Sequence, residues 1–400
     1  MNVIILDEHQ IEDGRIIRHL KKTLKEGNSV IRLHYNLYNQ TLEGGHFSQY
    51  GEIGYRTNRP AFKNYILNRV ILNTATLHLL VYSWNVISAL NLLPIERSEP
   101  TIIHVHDPVL LPTAVLLKKR YFENSKIIYD RHEVFEKFEP NLFPGIPSYL
   151  RLNEILTKKW IDGVVTISSD YDPNVFPGAK FTIVPNYPVL DTIDDERVKE
   201  KISTFDPDKE FFLSYIGSLN FQNERDIGLM IRIATQVLTR YPKAHFFLGG
   251  HTWGFDEEIQ RLITPLQDEF PERFRYLGPV ANSETLKITE QSHFGFFLLK
   301  PKTDYWVLNS PNKVFEYLAC GTIPIIRAQI IHEDEISQCA LIFDRDSPEE
   351  DIISAVLSSL ENPLRCKELM EKAVYIGKNY CFESVADRYI RLYNQVHDIV

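Results

Sequence analysis

Asn312, Lys313 and Glu316 place an amide, an ammonium and a carboxylate within one short predicted helix. Ser310 is a good N-cap for it, and Pro311 fits the first turn, where a missing N–H costs nothing. Gly321 suits the left-handed position after the last turn. Asn312 and Glu316 are four apart and share a face. Exposed N–H groups at a helix start, with a lysine beside them, can meet a diphosphate, and a carboxylate one turn on can accept from a ribose diol. The same pattern also describes a plain surface helix with a solvated glutamate, and helix grammar alone favours that description.

Two strand ends carry further chemistry. Thr101-Ile-Ile-His-Val-His-Asp107 and Lys126-Ile-Ile-Tyr-Asp-Arg-His-Glu133 both read as strands that finish in polar residues. His104 and His106 are two apart and point to one side. His106, Asp107, His132 and Glu133 can therefore converge at one edge, to bond loops and cap helices, to contact a sugar or phosphate, or to ligate a metal. The metal reading ranks last and no metal is expected, because no further cluster with metal spacing accompanies it. In the second half, Gly217-Ser-Leu-Asn-Phe-Gln-Asn-Glu-Arg225 turns from a strand into a helix beginning near Asp226. Gly217 permits close backbone approach, and Arg225 at the helix start can hold a phosphate. Most single-glycine turns of this kind are ordinary connections, and the same holds for Gly249-Gly-His-Thr-Trp-Gly254.

These residues need strands and helices in alternation to position them. Strands are predicted at Val3–Leu6, Val30–Leu33, Thr101–Asp107, Lys126–Glu133, Gly163–Ser169 and Phe181–Asn186, with residues 36–62 as loop. A second series runs Phe212–Ile216, His245–Leu248, Phe274–Leu277, Phe294–Leu299, Ile323–Ile326 and Ala340–Phe343. Each series predicts a doubly wound parallel sheet, so the fold class is α/β with two Rossmann-like domains facing across a cleft. The polar stretch after Pro188 marks the boundary: residues 1–190 form an N-terminal Rossmann-like domain, 191–208 a linker, and 209–382 a C-terminal Rossmann-like domain. Residues 383–400 form an amphipathic helix packing back toward the first domain.

Composition supports a globular protein: 400 residues, 44% hydrophobic and 24% charged, long enough for two cores. A net charge of -9 argues against a nucleic-acid binder. The acidic excess lies after residue 190, so the first half is the one suited to an anionic surface. Four cysteines without metal spacing fit a reduced, cytosolic protein. The uncharged run from Val70 to Ile95 is long enough for a transmembrane span, yet its Asn, Thr, Ser and His residues favour two buried helices, or one long one touching a bilayer. The helix 14–26 carries Arg15, Arg18, Lys22 and Lys25 opposite its apolar face, a stripe that usually means a solvated surface. Lys118-Lys-Arg120 and Lys158-Lys-Trp160 add to a case for peripheral contact with an anionic membrane at the inner face of the cell membrane.

In element order the whole chain resembles glycosyltransferase family 4, within the GT-B fold. The resemblance is strongest at Pro311-Asn-Lys-Val-Phe-Glu-Tyr-Leu-Ala-Cys-Gly-Thr-Ile-Pro324, similar to the family's donor-nucleotide helix and following strand. Gly217 to Arg225 resembles its phosphate loop, and His104–Asp107, Tyr129–Glu133 and Val184–Asn186 resemble first-domain segments. The resemblance implies that Glu316 accepts from the ribose hydroxyls and that Arg225, with Lys313, neutralises the diphosphate leaving group. Gly217, Ser218 and Asn312 would complete the donor site, and His106 would lie beside the donor sugar. It implies a UDP-, GDP- or similar nucleotide-sugar donor, a glycan or lipid-linked sugar acceptor, retention of configuration, and no cofactor or metal. Two positions depart from the family pattern: Leu308 stands where many members carry a second glutamate, and Ser218 where many carry a basic residue.

The expected function is thus a retaining glycosyltransferase in cell-surface polysaccharide synthesis. The alternatives are a nucleotide-sugar epimerase of the same fold, which needs no acceptor, and an inactive nucleotide-sugar-binding subunit. A metal-dependent hydrolase would require metal bound through His104 and His106.

Overall fold

A computed structural model describes residues 1–9, 13–36, 45–58, 83, 86, 87, 99–131, 146–169, 171–220, 224–252, 254–301, 312–328 and 334–398. The chain divides into two compact units, Met1–Pro185 with Val385–Val400, and Asn186–Ser384.

The first unit holds an eight-stranded sheet: β1 (Asn2–Asp7), β2 (Ser29–Asn36), β3 (Gly45–Phe47), β4 (Ile53–Asn58), β5 (Thr101–His106), β6 (Lys126–Arg131), β7 (Ile161–Thr166) and β8 (Lys180–Ile183). Their order is β3-β4-β2-β1-β5-β6-β7-β8. All pairs are parallel except β3 with β4. β1 and β5 lie side by side and are buried along their whole length, which is why both read as apolar runs without alternation. The C-terminal helix Asp387–Val396 belongs to this unit and lies over β7, where a Cβ on Gly163 would sit 3.3 Å from Leu392 and from Val396.

The second unit holds β9 (Phe211–Ile216), β10 (Ala244–Gly249), β11 (Phe274–Tyr276), β12 (Phe294–Leu298), β13 (Ile323–Arg327) and β14 (Leu341–Phe343). The order is β11-β10-β9-β12-β13-β14, parallel throughout. β9 is therefore the central first strand of a doubly wound sheet. The chain moves to one side of it through β10 and β11 and to the other through β12, leaving a topological switch point at the carboxyl ends of β9 and β12.

Three expectations need correction. Residues 36–62 are not simply loop: β3 and β4 lie there and extend the sheet beyond β2. Their sequence hides this because β4 carries Gly54, which passes under Phe47 so closely that a Cβ would lie 2.6 Å from the ring, and Glu52 accepts from the Gln49 and Tyr50 amides to fold the intervening turn. The stretch 191–208, expected as a linker, contains a helix. Asp194 caps a helix, Asp195–Thr204, whose apolar side packs Val198 and Ile202 into the second core. Arg15 does not belong to a solvated stripe; it is buried against Asp130. Of the run 70–95, only Ser83, Val86 and Ile87 are described, all helical; the rest lies outside the described residues. Among the described residues no helix is long and apolar enough to cross a membrane.

Candidate functional site

At the switch point of the second unit, Gly217 leaves β9 and meets a second glycine backbone. Its N–H donates to the Gly249 carbonyl at 2.9 Å, and a Cβ on Gly250 would lie 1.5 Å from the Gly217 carbonyl oxygen. Gly250 also has φ +145, so both space and backbone require glycine there. Ser218 follows, half-buried, its carbonyl accepting from Tyr215 Oη at 2.9 Å.

Arg225 starts the return toward the next helix. It forms a bridge with Leu299, just past β12, and its guanidinium lies 4.5 Å from the centre of the Phe297 ring. Its Nε and Nη1 are buried without a hydrogen-bond partner among the described residues. The next residue fixes this geometry. Asp226 caps the helix Ile227–Arg240 through the Leu229 N–H and takes Arg327 Nη1 on its other oxygen at 2.9 Å. Burial raises the Tyr215 phenol above its ordinary value, while the neighbouring Arg225 charge pulls it the other way.

The helix Asn312–Ala319 brings the remaining groups. Its buried face carries Val314, Phe315, Tyr317 and Leu318. Tyr317 lies over Gly295 of β12, where a Cβ would meet the ring at 2.4 Å, and donates to the Phe296 carbonyl at 3.0 Å. Gly321, at φ 62, ends the helix as its residue type requires. Lys201 secures that end by donating from its buried Nζ to the Cys320 carbonyl, the Ser292 carbonyl and Thr322 Oγ1. Opposite the buried face, Asn312 is exposed, and Lys313 Nζ lies 2.6 Å from Glu316 Oε2, each side chain about one-fifth exposed. A Cβ on Gly217 would lie 3.6 Å from Lys313 Cε and 3.0 Å from Tyr215 Oη. Gly217, Ser218, Arg225, Lys313 and Glu316 are thus gathered around Tyr215 and the two strand ends, with Asn312 one residue away. Ser310, Pro311 and Leu308 lie outside the described residues. Phe297 and Arg327 carry no sequence signal of their own, because they look like ordinary strand residues; Asp226 and Gly250 stand in the helix start and the paired-glycine turn that the sequence marks.

His106 has a different setting. It is fully buried in the first unit, with Nε2 at 3.3 Å from His19 Nδ1 and Nδ1 at 3.4 Å from Asp130 Oδ2. Its ring, expected beside a donor sugar, is buried in the first unit. Asp130 also receives Arg15, at 2.7 Å, and Tyr389 Oη at 3.3 Å. Tyr393 Oη lies 2.8 Å from His104 Nδ1 and is bonded to His19 Nε2. One ring nitrogen from each of His19, His104 and His106 falls within 4.8 Å of the others. The hydrogen bonds of these rings to one another and to Tyr393, with the Arg15–Asp130 ion pair beside them, describe a polar core. Burial lowers the pKa values of both His19 and His104, leaving neutral rings. Asp107, which has φ 77, pairs with His9 at 2.9 Å where β5 and β1 end. Arg131 and Tyr129 both bond Glu154. His132 and Glu133 lie outside the described residues.

No protein-family model matches the chain, and no curated protein matches it. Solved structures do. Sucrose-phosphate synthase from Thermosynechococcus elongatus superposes with a TM-score of 0.70 at 13% identity over 100% of both chains. The E. coli trehalose-6-phosphate structure bound with UDP-2-fluoro glucose gives 0.68 at 13% identity over 99% of each. Anabaena HepE, in complex with UDP and glucose, gives 0.65 at 10% identity, covering 99% of this chain and 100% of that one. The chain has the GT-B fold. Within GT-B terms, the two doubly wound sheets are its two Rossmann-like domains, and the Gly217–Arg225 turn with the Asn312–Ala319 helix forms the switch-point edge of the second.

Proposed function

We propose that this GT-B protein is a retaining glycosyltransferase that moves a sugar from a nucleotide-diphosphate sugar to a hydroxyl of a glycan or lipid-linked acceptor. The observation that carries the reading is the Arg225 guanidinium, held against Phe297 at the switch point with two buried nitrogens lacking protein partners among the described residues. A buried cation with unsatisfied donors is costly unless an anion completes it, and Lys313 Cε lies 3.6 Å from where a Cβ on Gly217 would sit. In this reading Arg225 and Lys313 take the diphosphate, the Gly217-Ser218 backbone passes close beneath it, and Asn312 borders it at the helix start. Glu316 exchanges its bond from Lys313 for the ribose diol. Charge that develops on the departing phosphate is stabilised by these fixed cations and helix amides, which leaves no step that needs a metal. UDP is the nucleotide of two neighbouring structures, and a UDP-sugar is the first donor to test.

We further read the protein as a family 4-like enzyme of cell-surface polysaccharide synthesis, working in the cytoplasm in peripheral contact with an anionic membrane; the motif at Asn312–Pro324 and the basic surface of the first unit support this. A panel of nucleotide-sugars, read by thermal shift and by release of nucleoside diphosphate, tests the donor reading. One donor should raise Tm by mass action and be turned over when acceptor is present. If no nucleotide-sugar shifts Tm and none is cleaved, the reading fails.

A further inference from the structure

Three large apolar residues of the helix Ile146–Thr157 lie on the wrong side for a core. Leu152, Ile155 and Leu156 are 48%, 52% and 63% exposed, at the i, i+3, i+4 spacing of one face. The other exposed large hydrophobics among the described residues are scattered over the second unit. The helix cannot roll to hide this strip. Its opposite face is buried through Asn153, Glu154 and Thr157, and Glu154 is tied inside to Arg131 Nε at 2.6 Å and to Tyr129 Oη at 3.0 Å.

Cations frame the strip. Arg151 precedes it and Lys158 and Lys159 follow it, all exposed. Trp160 is half-buried beyond them, with Lys159 Nζ 5.6 Å and Lys119 Nζ 4.4 Å from its ring centre. The one carboxylate on the helix near the strip is the internal Glu154. Asp162, the next acid along the chain, is taken by Lys118 and Lys126. A narrow aliphatic stripe with a basic border and an indole at its end matches a lipid interface: the apolar residues enter the acyl boundary, the indole lies at headgroup level, and the long cations reach anionic phosphates. The same stripe is far too small for a stable protein–protein interface.

We infer that the first unit docks on an anionic lipid bilayer through Leu152, Ile155 and Leu156, with Arg151, Lys158, Lys159 and Lys119 as its electrostatic border. This gives the membrane contact of the proposed function a defined surface and rests on that reading only for its purpose, since docking needs no donor. The test is therefore run without nucleotide-sugar, and its failure leaves the donor panel untouched.

The full chain is floated with phosphatidylcholine vesicles with and without phosphatidylglycerol, at low and high salt. Binding should require the anionic lipid and weaken with salt. The triple variant L152S/I155S/L156S should abolish it while Tm is kept, because these side chains support no core. K158E/K159E should weaken it by about fivefold or more for each charge removed. Three results would overturn the inference: no binding to anionic vesicles at low salt, equal binding to neutral vesicles, or binding that survives the triple variant. Light scattering that shows a dimer dissolved by the same triple variant would also overturn it, by assigning the strip to a second copy of the chain.

Discussion

Lys313 and Glu316 face each other across one turn of the same helix, ammonium to carboxylate at 2.6 Å. The pair is held by neither core nor solvent alone: each side chain is about one-fifth exposed, on a helix whose other face is locked over Gly295 by Tyr317. A ligand diphosphate would draw Lys313 away and leave Glu316 to accept from a diol, so the two partners are already in position.

Glu316→Ala should raise the donor KM about tenfold or more, since a hydrogen bond to a charged group contributes roughly 1.5–3 kcal/mol. Glu316→Gln keeps an acceptor without the charge and should fall between. Initial-rate kinetics with the identified donor decide this; an unaltered KM in the alanine variant removes Glu316 from the site.

Arg225→Met should separate function from folding. Loss of a fixed cation at the leaving group should lower kcat by about 100-fold. The nucleotide-free protein should melt no lower than wild type, because two buried donors without partners among the described residues are removed with the guanidinium. A clear loss of Tm without ligand would show instead that Arg225 is a structural residue.

Gly250→Ala should be among the most damaging small substitutions. The new Cβ would lie 1.5 Å from the Gly217 carbonyl oxygen at φ +145, which costs about 2–4 kcal/mol through strain and backbone displacement. Gly178→Ala is the control: its φ is +87 with nothing within 4 Å, so only the left-handed strain of about 1 kcal/mol applies. Chemical denaturation of the two variants gives the comparison, and donor binding should fall only in the first.

Lys201→Met leaves the Ser292 and Cys320 carbonyls and Thr322 Oγ1 without their ammonium donor. The second unit should lose about 2–4 kcal/mol, and donor affinity should drop with it, because Cys320 ends the Asn312–Ala319 helix. Equal denaturation midpoints for variant and wild type would show that those acceptors find other partners.

Stability should decline in two pH windows. Burial lowers the pKa values of His19 and His104 below their ordinary 6.5 in the folded protein. The unfolded chain therefore takes up these protons first, and stability is lost as pH falls through about 6.5 toward the lowered folded values. Burial alone would raise the Asp7 carboxyl, but Arg32 and His34 hold it well below its ordinary value. Its contribution is present above about pH 4 and is lost below that. Melting temperatures recorded from about pH 8 downward should show both declines; a flat profile through the first window would mean that the rings take up protons equally in the folded and unfolded chain.

The strands of both sheets other than β3 and β4 were readable because their signal is local. β1 and β5 are apolar runs bounded by turn residues, and β9 to β14 alternate with helices at regular spacing. β3 and β4 were not readable, because they are short and their apolar residues, Phe47, Ile53 and Tyr55, are set among Gly, His, Arg, Thr and Asn. The helix Asn312–Ala319 was legible in its C-terminal stop at Gly321. Phe297, which seats Arg225, reads only as one more residue of an apolar strand.

Polar residues show where local reading ends. Arg15 and Lys22 occupy the same predicted basic face, yet Arg15 is buried on Asp130, 115 positions away, while Lys22 reaches Glu26 and Asp387 at the surface. His106 seemed as available as Asp107, yet the C-terminal helix brings Tyr389 and Tyr393 over the histidine cluster that holds it. Leu152, Ile155 and Leu156 are apolar, yet their side chains lie exposed. The amino-acid sequence by itself determined the order of elements, their stops and the residue types at each strand end, because hydrophobic period and turn chemistry act over a few residues. Only the tertiary structure decided which charges were taken out of water and which apolar face was left in it, because burial depends on elements distant in the chain that come to lie against each residue.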